Sequence, residues 1–111
     1  MALSRQGTAY ELTGPVGAPI VALIHGLGLT RASTWGAIAP VLAQKFQVLT
    51  YDLLGHGQTV LPQGDVSLSA LSAQLVGLLD DLGIDRAALV GFSLGGMINR
   101  RMAMDHPERV S

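Results

Sequence analysis

Ser93 is the side chain whose surroundings point most directly to chemistry. It lies in the stretch "VGFSLGGM", residues 90–97, where Gly91 stands two positions before it and Gly95 two positions after it. This G-x-S-x-G pattern follows an apolar run typical of a strand and precedes a run typical of a helix. In that context it favours a sharp turn that exposes a nucleophilic hydroxyl. Glycine is needed on both sides because the strand and the helix would pass too closely for side chains.

The same turn should provide a place for negative charge. The first N–H groups of a helix have no partners within the helix, and they can stabilise an oxyanion at its start. We therefore expect the N–H of Leu94 to be an oxyanion donor, and we expect Gly96 to let the helix pack against the sheet. The alternative is that Ser93 only caps the helix, since serine is a favoured N-cap residue.

Apolar runs that are too short for helices predict the strands that position this turn. Strands are predicted over residues 8–12, 19–26, 46–52 and 87–92, and helices over 33–45, over 68–82 and from Ser93 or Leu94 to just before Pro107. Residues 8–12 are expected at an edge of the sheet. The alternation of strands and helices indicates an α/β fold, with a mostly parallel sheet and helices on both faces.

The first two helices are defined with different clarity. Leucines at spacings of three and four define the helix over 68–82, with Ser67 or Ser69 as the N-cap and Gly83 just past its end. Gly36 and Pro40 weaken the helix over 33–45, because both residues cost helix stability. Ser33 or Thr34 would cap that helix. Its apolar face would consist of Trp35, Ile38, Val41 and Leu42.

Two glycine-rich turns are expected to meet at one edge of the sheet. If the 46–52 strand lies on one side of residues 20–24 and the 87–92 strand on the other, the chain reverses direction across the middle of the sheet. Ligands in open α/β sheets bind at the carboxyl ends of the strands at such a point. The turns placed there are "HGLGLT" and "SLGG", whereas "GHGQTVLPQGD" at 55–65 predicts a loop.

Composition excludes several classes of function. Seven basic and eight acidic residues give a net charge of -1, which favours neither nucleic acid nor an anionic membrane surface as a partner. There is no cysteine, the three histidines are scattered, and "HGLGLT" lacks the full dinucleotide-binding glycine pattern. We therefore expect no metal and no cofactor. No apolar run could span a bilayer and the start does not read as a secretory signal, so we expect a cytoplasmic location.

Three motifs together resemble one superfamily. "LIHGLGLT", "YDLLGHGQT" and "LVGFSLGG" occur in the order and spacing typical of α/β-hydrolase fold enzymes, and "DHPERV" is similar to the end of the helix that follows the serine there. The resemblance covers roughly residues 8–111 and is strongest to the 3-oxoadipate enol-lactonase, haloperoxidase-type esterase and C–C hydrolase group. It implies a Ser–acid–His triad. It also implies that Leu27, after His25 and Gly26, provides the second oxyanion N–H, and that His25 fixes this loop by hydrogen bonds.

The resemblance also implies that part of the machinery is missing. In this superfamily the acid and the histidine follow the serine on later loops, so residues 1–111 would be the N-terminal part of an incomplete hydrolase domain, inactive alone. Asp105 and His106 are rejected as substitutes, because the helix separates them from Ser93 by about 16 Å. His25 stays open as a substitute base. Asp52 is expected to accept backbone hydrogen bonds from the next turn.

The implied reaction is cleavage of an ester, lactone or related small acyl substrate through an acyl-enzyme on Ser93. Acyl transfer or perhydrolysis would use the same acyl-enzyme, and a non-catalytic binding or receptor protein could keep the same fold. His56 is interpreted as a loop residue near the rim of the pocket. The 87–92 strand would be left as an apolar edge, so we expect the isolated chain to self-associate or to need a completing polypeptide.

Overall fold

A five-stranded sheet forms the centre of the structure. The structure is a computed structural model that describes residues 2–59 and 67–111, so most of the loop predicted at 55–65 lies outside the described residues. The strands are β1 (Ala2–Leu3), β2 (Ala9–Thr13), β3 (Ile20–Ile24), β4 (Gln47–Tyr51) and β5 (Ala88–Gly91). The helices are α1 (Arg31–Trp35), α2 (Ala39–Leu42), α3 (Leu68–Asp81) and α4 (Leu94–Asp105), followed by a 3₁₀ turn (Pro107–Arg109).

The strand order is β1-β2-β4-β3-β5. β3 pairs in parallel with β4 on one side and with β5 on the other, so that Ile24 lies beside both Tyr51 and Gly91. This confirms the predicted reversal across the middle of the sheet. The prediction that residues 8–12 form an edge strand is wrong, because β1 pairs with the outer side of β2. The tight turn at Gly7, whose φ is 84°, lets the first residues fold back onto that strand.

Each face of the sheet packs against its own helices, as predicted. Successive residues of a strand point to opposite faces. Ile24 therefore belongs to a large core under α3 and α4, while its neighbour Leu23 packs with Trp35 on the face covered by α1 and α2. Within residues 2–59 and 67–111, no helix combines the length and the apolar character that crossing a membrane requires. The cytoplasmic location stays a prediction.

The helix predicted over 33–45 is two short helices. Thr30 caps α1 through a capping box with Ser33, so neither Ser33 nor Thr34 is the N-cap. Pro40 stands in the first turn of α2, where its missing N–H costs nothing, so a second helix can begin there. Ile38 and Val41 are consequently 48% and 64% exposed, which corrects the predicted apolar face. α3 begins after Ser67 and ends before Gly83, as expected.

The end of the described chain returns to the start of β5. Ala87 N–H donates to the carbonyl of Arg109 at 3.0 Å, and Ser111 N–H donates to the carbonyl of Ala87 at 3.1 Å, which is a parallel pairing. The Arg109 guanidinium donates to the carbonyls of Ile84 and Asp85 and lies 2.8 Å from the carboxylate of Asp80. Farther along β5, Val90 and the adjoining Phe92 expose 45% and 54% of their surface.

Candidate active site

Ser93 is held in an unusual backbone conformation at the junction of β5 and α4. Its φ is 56° and its ψ is -111°, and among the described residues it is the only one besides glycine with a positive φ. Such a conformation costs about 1–3 kcal/mol and persists only where the surroundings enforce it. Ser93 is exposed, and its side chain makes no capping hydrogen bond to the helix. Capping therefore does not account for serine at this position.

Two glycines make the turn possible. A Cβ at Gly91 would overlap the backbone of Gly95 and Gly96. A Cβ at Gly95 would overlap the carbonyl of Ile24 and lie 2.9 Å from the carbonyl oxygen of His25. At Gly96 the nearest atom would be the Gly91 oxygen at 3.9 Å, which is an ordinary contact. The prediction that Gly96 is needed for close packing is therefore wrong, whereas Gly91 and Gly95 have the predicted role.

Asn99 braces the same turn from one helical turn away. Oriented so that both amide atoms find partners, its oxygen accepts from Gly91 N–H at 3.1 Å and its nitrogen donates to the carbonyl of Gly95 at 3.3 Å. One side chain thus joins the last residue of β5 to the first turn of α4. The sequence analysis missed this residue. The signal was a polar amide six residues after the serine, between the buried positions Ile98 and Met102.

The loop after β3 lies directly beside Ser93. A Cβ placed on Gly26 would be 3.1 Å from the carbonyl oxygen of Phe92 and 3.4 Å from the Cβ of Ser93. The two glycine-rich turns thus meet at the carboxyl end of the sheet, as predicted. Within the described residues, neither Leu27 N–H nor Leu94 N–H donates to a protein acceptor. Both N–H groups are consequently without a hydrogen-bond partner in the part of the chain that the structure describes.

The His25 ring supports this loop through hydrogen bonds. Its Nδ1 lies 2.7 Å from the carbonyl oxygen of Gly26, and its Nε2 accepts from Leu53 N–H at 2.9 Å. Burial lowers the pKa of His25, and a neutral ring also fits its contacts, in which Nδ1 faces a carbonyl and Nε2 accepts an N–H. Both ring nitrogens are occupied and no hydrogen bond joins either of them to Ser93. The structure therefore gives His25 a positioning contact and not the geometry of a base.

A second histidine contacts the same loop. His56 Nε2 accepts from Gly28 N–H at 3.0 Å, and its Nδ1 lies 3.0 Å from the carbonyl oxygen of Leu54. The ring centroids of His56 and His25 are 5.2 Å apart. His56 is therefore more than a rim residue, because it ties the loop after β4 to the loop after β3.

Asp52 and Gln74 organise the loop after β4. The buried carboxylate of Asp52 accepts from Gln58 N–H at 3.1 Å, in the following turn as expected but six residues on, and from Arg31 N–H at 2.8 Å. Gln74 on α3 accepts from Leu54 N–H and donates to the carbonyl of Asp52, each at 3.1 Å. The sequence analysis missed Gln74. A glutamine inside the leucine repeat of α3 was the available signal.

The described residues bring no base to Ser93. Asp105 and His106 lie at the opposite end of α4, where Asp105 accepts from Arg101 at 2.6 Å. In residues 2–59 and 67–111, no hydrogen bond links the Ser93 hydroxyl to a histidine or a carboxylate, and no cluster of three His, Asp or Glu side chains could hold a metal.

Met97, interpreted from the sequence as core, is 52% exposed beside the turn.

Comparisons with known proteins agree with this arrangement. Residues 19–111 match the family model described as alpha/beta hydrolase fold. The chain is 36% identical to a putative carbamate hydrolase RutD of Caulobacter segnis over 94% of this chain and 40% of that protein. It is similar to the solved structure of an enol-lactonase from Burkholderia xenovorans LB400, with a TM-score of 0.88 and 33% identity over 94% of this chain and 40% of that one.

A solved hydrolase from Pseudomonas aeruginosa PA01 superimposes over 99% of this chain and 42% of its own, with a TM-score of 0.90 and 36% identity. The chain thus spans less than half the length of each of these three proteins.

Proposed function

Because this chain belongs to the alpha/beta hydrolase fold family, we propose that it carries the nucleophile and the oxyanion hole of a serine hydrolase. The substrate would be an ester, a lactone or a related small acyl compound. The observation that supports this best is the strained, exposed Ser93 with Gly26 of the neighbouring loop against it. Similarity to an enol-lactonase and to a putative carbamate hydrolase supports cleavage at a carbonyl carbon.

The proposed reaction has two halves. The Ser93 oxygen attacks the carbonyl carbon while a histidine takes its proton, and the tetrahedral oxyanion binds Leu27 N–H and Leu94 N–H. Collapse breaks the bond to the leaving oxygen, which receives that proton, and leaves an acyl group on Ser93. Water attacks the acyl group next and releases the acid. We propose that the histidine and its acidic partner come from outside the described residues, since none of these places a histidine or a carboxylate in hydrogen-bond contact with the Ser93 hydroxyl.

Labelling with a fluorophosphonate tests this function. The complete gene product should take up one equivalent of the probe, and digestion followed by mass spectrometry should place it on Ser93, because only an activated serine reacts rapidly. Protein unfolded in denaturant before exposure is the control and should stay unlabelled. A folded protein that takes up no probe would favour the alternative of a non-catalytic binding protein.

Product analysis separates hydrolysis from acyl transfer. Acyltransferases and perhydrolases use the same acyl-enzyme and differ in the acceptor that attacks it. Free acid as the product in water supports the hydrolase, whereas product that forms only with an added alcohol, amine or peroxide supports the alternatives.

We also propose that the 111-residue chain, produced alone, self-associates through the outer edge of β5. That edge exposes Val90 and the adjoining Phe92, and exposed apolar edge strands pair with other chains. Size-exclusion chromatography should show elution ahead of a monomer, and Val90→Lys should shift elution toward the monomer because a charge discourages edge pairing. Monomeric elution of the unchanged chain at every concentration would contradict this proposal.

A further inference from the structure

We propose that His56 is a positioning residue for the loop after β3, residues 25–29, which presents the proposed oxyanion donor Leu27. As a neutral imidazole it accepts a hydrogen bond from Gly28 N–H, and it thereby orients the peptide unit that follows Leu27. The inference rests on the proposed function, since it gives His56 the task of helping to position the proposed oxyanion donor Leu27.

The two contacts of His56 fix its tautomer. The carbonyl of Leu54 can only accept, so the Nδ1 that lies 3.0 Å from it must carry the proton. The N–H of Gly28 can only donate, so Nε2 must be unprotonated. A neutral ring with its proton on Nδ1 is the one state that satisfies both contacts.

His25 acts on the preceding peptide unit in the same way. Its Nδ1 donates to the carbonyl of Gly26, which also accepts from Leu29 N–H at 3.2 Å. That carbonyl and the N–H of Leu27 belong to one planar trans peptide, so they point in opposite directions. Fixing the carbonyl toward His25 directs Leu27 N–H away from His25. Gly28 N–H belongs to the following peptide unit, and His56 fixes that one.

The loop that carries His56 is itself held firmly. His56 N–H donates to the carbonyl of Leu53 at 2.9 Å, Leu53 N–H donates to His25, and Leu54 N–H donates to Gln74. The His56 ring is consequently a fixed acceptor. Gly28 has a φ of 77°, which glycine adopts without strain, so its N–H can turn toward the His56 ring at no backbone cost.

Two substitutions in the complete gene product test the inference. His56→Leu removes the acceptor, and we expect kcat for an ester substrate to fall about 10- to 100-fold, with KM changed less than about threefold, since a misplaced donor costs less than a lost one. His56→Gln supplies a side-chain oxygen that can accept from Gly28 N–H, so it should recover part of kcat. His106→Leu, which removes a histidine at the far end of α4, is the matched control and should leave kcat unchanged.

A spectroscopic measurement separates failure of this inference from failure of the proposed function. Long-range ¹⁵N–¹H spectra should show the His56 proton on Nδ1, and the Gly28 amide signal should shift in His56→Leu. A proton found on Nε2, or His56→Leu with unchanged kcat in an active enzyme, overturns the inference. An unreactive Ser93 in a protein with the expected tautomer overturns the proposed function alone. If His56→Leu does not fold, as judged by circular dichroism, the kcat of His56→Gln and the tautomer decide.

Discussion

Ser93→Ala should reduce kcat for ester or lactone hydrolysis by about 10⁴-fold or more, because without the hydroxyl no acyl-enzyme can form. The oxyanion donors Leu27 and Leu94 would remain, so a small residual rate above that of water is expected. The measurement is the initial rate under saturating substrate, together with loss of fluorophosphonate labelling. A variant that retains both turnover and labelling would show that another residue is the nucleophile.

Ser93→Gly is a companion variant that separates strain from chemistry. It should be equally inactive, yet more stable than the parent protein by about 1–2 kcal/mol, because glycine adopts a φ of 56° without penalty. Alanine keeps the Cβ and therefore the strain, so Ser93→Ala should unfold at nearly the same denaturant concentration as the parent. Equal stability of the alanine and glycine variants would mean that the serine turn stores no strain.

Gly95→Ala should lower the free energy of unfolding by about 3 kcal/mol or more and abolish labelling of Ser93. The new Cβ would overlap the carbonyl of Ile24 and approach the carbonyl of His25, and neither backbone group can move without displacing β3. The measurement is chemical denaturation followed by circular dichroism, with labelling at Ser93 recorded in parallel.

Gly96→Ala is the matched control, one residue along the same helix. Its Cβ would meet only the Gly91 oxygen at 3.9 Å, and alanine favours the helix by up to about 1 kcal/mol over glycine. This variant should be as stable as the parent or more stable, and it should label normally. If both variants lost stability to the same degree, the close approach of β3 to α4 would not be the reason for glycine.

The turn itself was predictable from the sequence because its determinants are local. Gly91, Ser93 and Gly95 lie within five residues, and the apolar run and the helix on either side of them are read from the same stretch. The meeting of this turn with the loop at Gly26 was also predictable, because the order of strands and helices constrains which strands are neighbours. The α/β fold class was predictable for the same reason, and the structure confirms it. The chemical roles of Ser93, Leu27 and Leu94 stay predictions.

The supporting contacts were not predictable, because they join residues far apart in the chain. Gly28 and His56 are 28 positions apart, and Asp52 and Gln74 are 22 positions apart. No periodicity links such pairs, and each depends on how two loops happen to face each other.

The split of the predicted helix over 33–45 is a different kind of error. Gly36 and Pro40 were seen to weaken the helix, but the sequence did not show that α1 ends at Trp35 and that Pro40 stands in the first turn of a second helix.

The contacts of Arg109 have a consequence for strand register. A slip of one residue along β5 would turn every side chain of the returning segment to the other face. Val110, which packs against the large core, would then point away from it. The guanidinium of Arg109 is tied at once to the carbonyls of Ile84 and Asp85 and to Asp80, so a slip would break all three contacts. Arg109 therefore fixes both the position and the register in which residues 109–111 pair with the start of β5.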